Sequence, residues 1–330
     1  MLGYIAKRIL LMPVMLFMVT LVIFTLVNAQ PVDPGAAILG QAGTVEAIAQ
    51  LNSELGYDRP FLYRYGKFVL DAFKGDFGYS YYSRHNVLQE VVARLPNTVT
   101  LAGGTIIIAI LFGLPLGLTC AVKQYSWADN MLSTLAMFAG AMPAFWLSLL
   151  LLLLFSLKLG WFPSSGVNQG PISWVLPMGT LSVCYISVFL RYSRSSMLDC
   201  IRQDYVTTAR SKGCRESVVI SRHALKNALM PLITITGVFF GSLLSSAVVV
   251  ENVFSIPGLG LLVLDSIKRK DIPLVMGCIV FLAIIFLVIT LLMDIAYALV
   301  DPRIKAMYST QNKKRKKKRP AAAANSSAEV

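Results

Sequence analysis

Residues 191–231 read RYSRSSMLDCIRQDYVTTARSKGCRESVVISRHALKNALMP and lie between two strongly apolar stretches. Eight Lys/Arg stand there against Asp199, Asp204 and Glu216, so the segment cannot enter a bilayer, where buried charge is costly. Met197, Leu198, Ile201, Tyr205 and Val206 recur at helical spacing and predict one apolar stripe, with Arg202 and Arg210 projecting elsewhere. Gly213, directly after Lys212, predicts a helix stop in the left-handed conformation. Glu216 falls in the first turn of a second helix, where the helix dipole favours an acid. That helix is predicted to pass through Val218, Val219 and Ala224 to Leu229, and Pro231 to open the next span, since proline is tolerated in a first turn. Two physical readings stand side by side. An amphipathic helix can rest on lipid headgroups, or a helix pair can dock in a partner's groove. The sharp reversal at Gly213 leans toward docking, because a surface-lying helix gains nothing from it.

Outward from this segment the chain is apolar. Its 330 residues are 56% hydrophobic and only 14% charged, against about 25% charged in a soluble domain. Uncharged stretches cover 9–32, 95–122, 130–157, 159–190, 227–250 and 272–293. A membrane helix needs about 20 apolar residues, which predicts six spans near 9–29, 98–122, 131–157, 172–193, 229–250 and 273–299. Pro115 and Pro143 are expected to bend the second and third. The fold expected is all-α and integral to the membrane, divided into 1–29 (N-terminus and first span), 30–97 (an extracytoplasmic lobe), 98–308 (a five-span core with the loop 194–231) and 309–330 (a disordered polybasic tail). The first apolar run is longer than a signal-peptide core and lacks a small-residue cleavage site before Pro31, so it reads as a retained span.

Charge sets the expected orientation. Lys7 and Arg8, the 191–226 segment and the seven consecutive cations Lys313–Arg319 all belong on the cytoplasmic side, with both termini. Lys7 and Arg8 are read as doing nothing more than that. Lys268, Arg269 and Lys270 fall on the outer side against this rule and are outvoted. The tail could touch anionic lipid or simply reinforce topology. It has no interleaved aromatics and no folded reader beside it, which speaks against nucleic acid.

Catalytic chemistry finds little to work with. Five unpaired-looking cysteines and only His85 and His223 argue against a disulfide framework and against a metal site. An intramembrane protease needs paired catalytic residues in facing spans, whereas Asp294 is the one ionisable residue expected within a span. Without an internal repeat or charged path, a secondary transporter is a poor fit. No GxxxxGK[ST] phosphate-binding loop is present.

Asp204-Tyr205-Val206-Thr207-Thr208-Ala209-Arg210-Ser211-Lys212-Gly213, followed by Arg222-His223-Ala224-Leu225-Lys226-Asn227-Ala228 and Pro231, closely resembles the cytoplasmic loop of ABC-importer permeases. More narrowly, it resembles the B-type branch of the dipeptide/oligopeptide/nickel permeases. Gly75–Ser80, Arg94–Thr98, Leu159–Pro163, Val250–Phe254 with Pro257–Gly260, and Asp301–Ile304 add to the likeness, which extends to about residue 305. The resemblance implies a type I importer fold in a bacterial plasma membrane, with the loop inserted into a cleft on an ATPase. It transfers that coupling role to Asp204, Tyr205, Ala209, Arg210, Lys212, Gly213 and His223. Thr207 stands where the wider family carries glutamate. Partners implied are a homologous second permease, two cytoplasmic ABC ATPases and an extracytoplasmic substrate-binding protein, besides membrane lipids. ATP and magnesium belong on the ATPases, and no cofactor on this chain. Peptides are the substrate implied first, with nickel chelates or another small solute as the alternative.

Other positions carry paired readings. Asp294 is a functional candidate inside a span, or the partner of a basic neighbour, and the second is favoured. Thr234, Ser242 and Ser245 could line a polar path or serve close packing in the fifth span. Glu251, ahead of Pro257–Gly260, is either a gate or binding-protein contact, or a loop anchor.

Overall fold

A computed structural model describes residues 2–29, 34–40 and 43–300, and every regular element among them is a helix. The polybasic tail and Asp301–Ile304 lie outside the described residues. Helix α1 (Leu2–Ala29) is followed by three short helices, α2 (Pro34–Leu39), α3 (Val45–Glu54) and α4 (Phe61–Phe73). Helix α5 (Val87–Val122) then leads through α6 (Trp127–Ala141) to α7 (Ala144–Leu151), which ends in a π-helical turn, Leu152–Lys158. A 3₁₀ turn, Gly170–Trp174, opens α8 (Val175–Ile201). The loop contains α9 (Asp204–Ser211) and α10 (Glu216–Val218), and a second π turn, Val219–Ala224, joins it to α11 (Leu225–Val253). Helices α12 (Leu259–Lys268) and α13 (Ile272–Val300) complete the described chain.

Among the described residues five helices are long and apolar enough to cross a membrane, and six spans result if the α6–α7 pair is one. That agrees with the expected number, but several boundaries move. The second span begins at Val87 rather than near 98, because Asn86 caps it by accepting from the Leu88 and Gln89 N–H groups at 2.9 and 3.3 Å. The third is broken, not merely bent: α6 and α7 meet at 98°. Pro143 lacks an N–H and holds Met142 in extended backbone, ψ 127°, as the residue before a proline prefers. The fifth does not open at Pro231, which lies inside a helix continuous with α10 and the π turn.

Among the described residues, successive apolar clusters hold the bundle. Val87 and Val91 pack on α12 and α13 at one end. Ala102 and Ala109 meet Tyr185, Phe189 and Phe240 at mid-height. Ala121 and Met197 meet the loop residues at the other end. Helix α1 lies against α13, and Arg8 Nε stands 3.0 Å from Asp294 Oδ2. The partner-of-a-cation reading of Asp294 therefore holds. The reading of Arg8 as a topology signal alone does not, because an acid in a span is tolerated only with such a partner. At the opposite end two of the anomalous basic trio are engaged: Arg269 stacks on the Tyr82 ring at 4.1 Å and Lys268 stands 3.7 Å from Asp265. The buried Asp271 accepts from the Leu274 N–H at 3.3 Å, capping α13.

Candidate functional site

The loop is a thin polar skin over an apolar floor. Helix α8 stops at Ile201, and Arg202–Gln203 separate it from α9, so the predicted unbroken stripe from Met197 to Val206 is two pieces. Both pieces still face inward. Met197, Val206, Ala209, Val219, Ala224 and Ala228 are buried together against Ala121. Ala209 is therefore part of the floor, and its small side chain lets α9 sit close to the bundle. The Ser196 hydroxyl donates to the Ala228 carbonyl at 2.8 Å and ties α8 to α11 just beneath.

Asp204, Thr207, Thr208, Arg210, Ser211 and Lys212 stand exposed above that floor. Gly213 ends the helix with φ +75°, the left-handed conformation expected of it, and a Cβ there would meet nothing within 4 Å. Arg210 reaches across the turn to Glu216, Nε–Oε2 3.0 Å and Nη2–Oε1 2.6 Å. Glu216 thus has a bidentate partner besides the helix dipole, and the pair braces the reversal. Tyr205 is 40% exposed, and the covered part of its ring raises the phenol above its ordinary pKa. His223 is half-buried in the π turn, its carbonyl accepting from Asn227 Nδ2 at 3.3 Å.

One pair behind the loop was not singled out from sequence. Arg194, on α8, donates to both oxygens of Asp129 at the start of α6, Nε–Oδ1 2.6 Å and Nη2–Oδ2 2.8 Å. Asp129 is 1% exposed and also accepts from the Tyr125 N–H at 2.9 Å and the Ser133 hydroxyl at 3.2 Å. The pair joins the broken span to the helix that ends in the loop. Ser126-x-x-Asp129 carries the pattern of a helix start, but nothing in it names Arg194.

The far end of α11 is held by another buried acid. Glu251 is 0% exposed and accepts from the Thr98 hydroxyl at 2.6 Å and the Leu261 N–H at 3.0 Å. Thr98 in turn accepts from the Leu259 N–H at 2.8 Å, and Asn97 donates to the Pro257 carbonyl at 2.9 Å. The Pro257–Gly260 turn is therefore wrapped around the carboxyl, which occupies the space a side chain at Gly258 would need. The carboxyl thus anchors this turn to the second span through Thr98. Thr234, Ser242 and Ser245 share one exposed stripe of α11 with Val238 and Val249.

A family model described as the binding-protein-dependent transport system inner membrane component matches residues 113–306, and its N-terminal companion matches residues 1–102. The glutathione transport system permease protein GsiC of Escherichia coli (strain K12) is 36% identical over 305 residues, covering 92% of this chain and 99% of that protein. A Brucella abortus (strain 2308) protein named for a peptide transport system permease is 38% identical over 300 residues, covering 89% and 95%. The inward-facing MetNI methionine ABC transporter shares the fold at a TM-score of 0.55 with 17% identity, over 64% of this chain and 97% of that one.

Proposed function

The chain belongs to the binding-protein-dependent transport system inner membrane components, and from that premise we propose that its cargo is a short peptide and that residues 204–213 engage the ATPase. It is a permease subunit of an ABC importer in the bacterial inner membrane. It is not itself an enzyme: ATP hydrolysis belongs to separate subunits, and the family works with an ATPase, a substrate-binding protein and a second permease.

The observation that carries the coupling site is the division of the 204–224 segment into a buried floor and an exposed skin. A helix whose apolar face is already covered by its own chain has no need of lipid, which supports docking over the headgroup-resting alternative. Asp204, Thr207, Thr208 and Lys212 are then the groups offered to the partner. Tyr205 stands at the exposed edge beside them, Ala209 and His223 act through the floor and the π turn, and Arg210 acts through its brace on Glu216. The basic charge of the segment puts it on the cytoplasmic side. Closure of two ATPases, holding ATP and magnesium, pushes this rigid pair and rocks the spans between inward- and outward-facing states. The exposed stripe of Thr234, Ser242 and Ser245 supports a place on the path opened between two permeases.

Conformation rather than space governs Gly213, which is open on all sides within the chain. A β-branched residue in the left-handed region costs about 1–2 kcal/mol or more, whereas asparagine tolerates it. Gly213→Val is expected to lower substrate uptake roughly ten-fold at unchanged membrane content, and Gly213→Asn to retain most of it. Equal uptake by the two variants would remove Gly213 from the coupling role.

Relatives named for glutathione and for peptides support a peptide cargo. Labelled di- and tripeptides, glutathione and nickel, offered to cells with and without this chain, test it. Peptide uptake is expected to depend on the chain and nickel uptake not to. The reverse pattern would identify a nickel-chelate importer of the same architecture.

A further inference from the structure

We propose that α4 is an interfacial membrane helix whose outward apolar stripe, Leu62, Leu70 and Phe73, lies in the acyl chains of the outer leaflet, beside α1. The expected extracytoplasmic lobe is thus partly sunk in lipid.

Depth is the first argument. The span within α1, Arg8–Ala29, has 22 residues, or about 33 Å at 1.5 Å per residue, close to the roughly 30 Å of hydrocarbon. The end of α1 therefore marks the membrane boundary. Helix α4 is fastened below that mark. The Phe24 ring lies 5.4 Å from Phe61 and 6.0 Å from Phe68, and Phe24 stands about 7 Å inside the end of α1 on the same rise. The Tyr65 hydroxyl reaches deeper, to the Phe17 carbonyl at 2.8 Å and the Thr20 hydroxyl at 3.0 Å. On α13 the same cluster takes in Ile272 and Met276, from the first turns. Interfacial helices bury about 5–10 Å into the headgroup and acyl boundary, which matches the level of Phe24.

The sectors of α4 are the second argument. At about 100° per residue, Phe61, Tyr65, Phe68 and Val69 form one sector, packed on α1 and α13. Next around the helix come Leu62 (77% exposed), Phe73 (80%) and Leu70 (64%). Tyr63, Lys74, Lys67, Asp71 and Arg64 fill the remaining sector. The order is protein, apolar, polar. A helix lying in the membrane plane against a span requires that order, whereas a helix in water has no use for the middle sector. The stripe is also continuous in character with the lipid-facing side of α1, where Val14, Met18, Val22 and Leu26 are exposed.

The test uses the full chain in its assembled transporter, in nanodiscs of phosphatidylethanolamine and phosphatidylglycerol. A fluorescent amino acid is placed at position 70, at position 73 as a second reporter of the stripe, and at position 67 as the polar comparison. Quenchers are a lipid carrying a nitroxide on its upper acyl chain, and aqueous iodide. Positions 70 and 73 should be quenched by the acyl nitroxide at least two-fold more than position 67, with iodide giving the reverse order. Iodide quenching at 70 and 73 as strong as at 67 would place the stripe in water. Shielding from both quenchers would mean that a protein partner covers it. Either result overturns the proposal.

Discussion

Gly258→Val should yield little folded permease, and what is recovered should melt well below the parent. The backbone of Gly258 is extended, φ −103°, so any residue could adopt it. The objection is spatial. A Cβ there would overlap the carboxyl carbon and both oxygens of Glu251, closer than real carbons approach. Relief requires pushing that carboxyl off Thr98 and the Leu261 N–H, leaving buried polar groups unpaired at about 1–3 kcal/mol. Overpacking adds about 1–3 kcal/mol. At roughly 2–4 °C per kcal/mol for a large domain, the midpoint should drop by about 5 °C or more. Heating detergent-solubilised protein before size-exclusion chromatography reads it. Gly66→Ala, inside α4 with nothing within 4 Å of the added carbon, should melt at or slightly above the parent, since alanine is the better helix former. If Gly258→Val matched it, the wrapped-carboxyl account of this turn would be wrong.

Arg194→Ala is the second large effect. It leaves Asp129, 1% exposed, without its charged partner, beside the Tyr125 N–H and the Ser133 hydroxyl. Removing one partner of a fully buried ion pair costs about 3–5 kcal/mol, and the 28% exposure of Arg194 puts this pair at or below the lower end of that range. The consequence reaches function because the pair connects the start of α6 to the helix that carries the loop. Arg194→Ala is expected to abolish uptake and lower the melting midpoint. Arg194→Lys should recover part of both, since lysine restores charge but not the two-pronged geometry. Combining Asp129→Ala with Arg194→Ala should restore stability beyond Arg194→Ala alone, because no carboxylate is left stranded. Uptake should stay low in the double variant if the pair transmits motion, and return with stability if it only supports the fold.

Gly213 and Gly258 show how unequally the chain declares its own constraints. Gly213 follows a cationic helix end, a local pattern readable without the rest of the molecule, and its φ of +75° is the conformation that pattern predicts. Gly258 sits in a Pro-Gly-Leu-Gly turn that reads equally well as any surface loop. Its constraint comes from a carboxyl bonded to Thr98, 153 residues away in sequence from Glu251. Arg8 illustrates the same gap, because its charge was legible as a topology signal while its partner Asp294 was not.

Local chemistry therefore determined the class of this protein: an all-helical membrane chain with about six spans, a basic loop reversed at Gly213, and the positions of most helices. Bilayer thickness sets the length of an apolar run, and backbone sterics set where glycine is needed, so both are written in consecutive residues. The tertiary structure decided the rest. It broke the third span by 98° at Pro143, turned Ala209 inward, made Glu251 an anchor, and paired Asp129 with Arg194 across 65 residues. These depend on which helix faces which. A buried polar group must find its partner wherever the packing brings one, and spacing along a single sequence carries no record of that encounter.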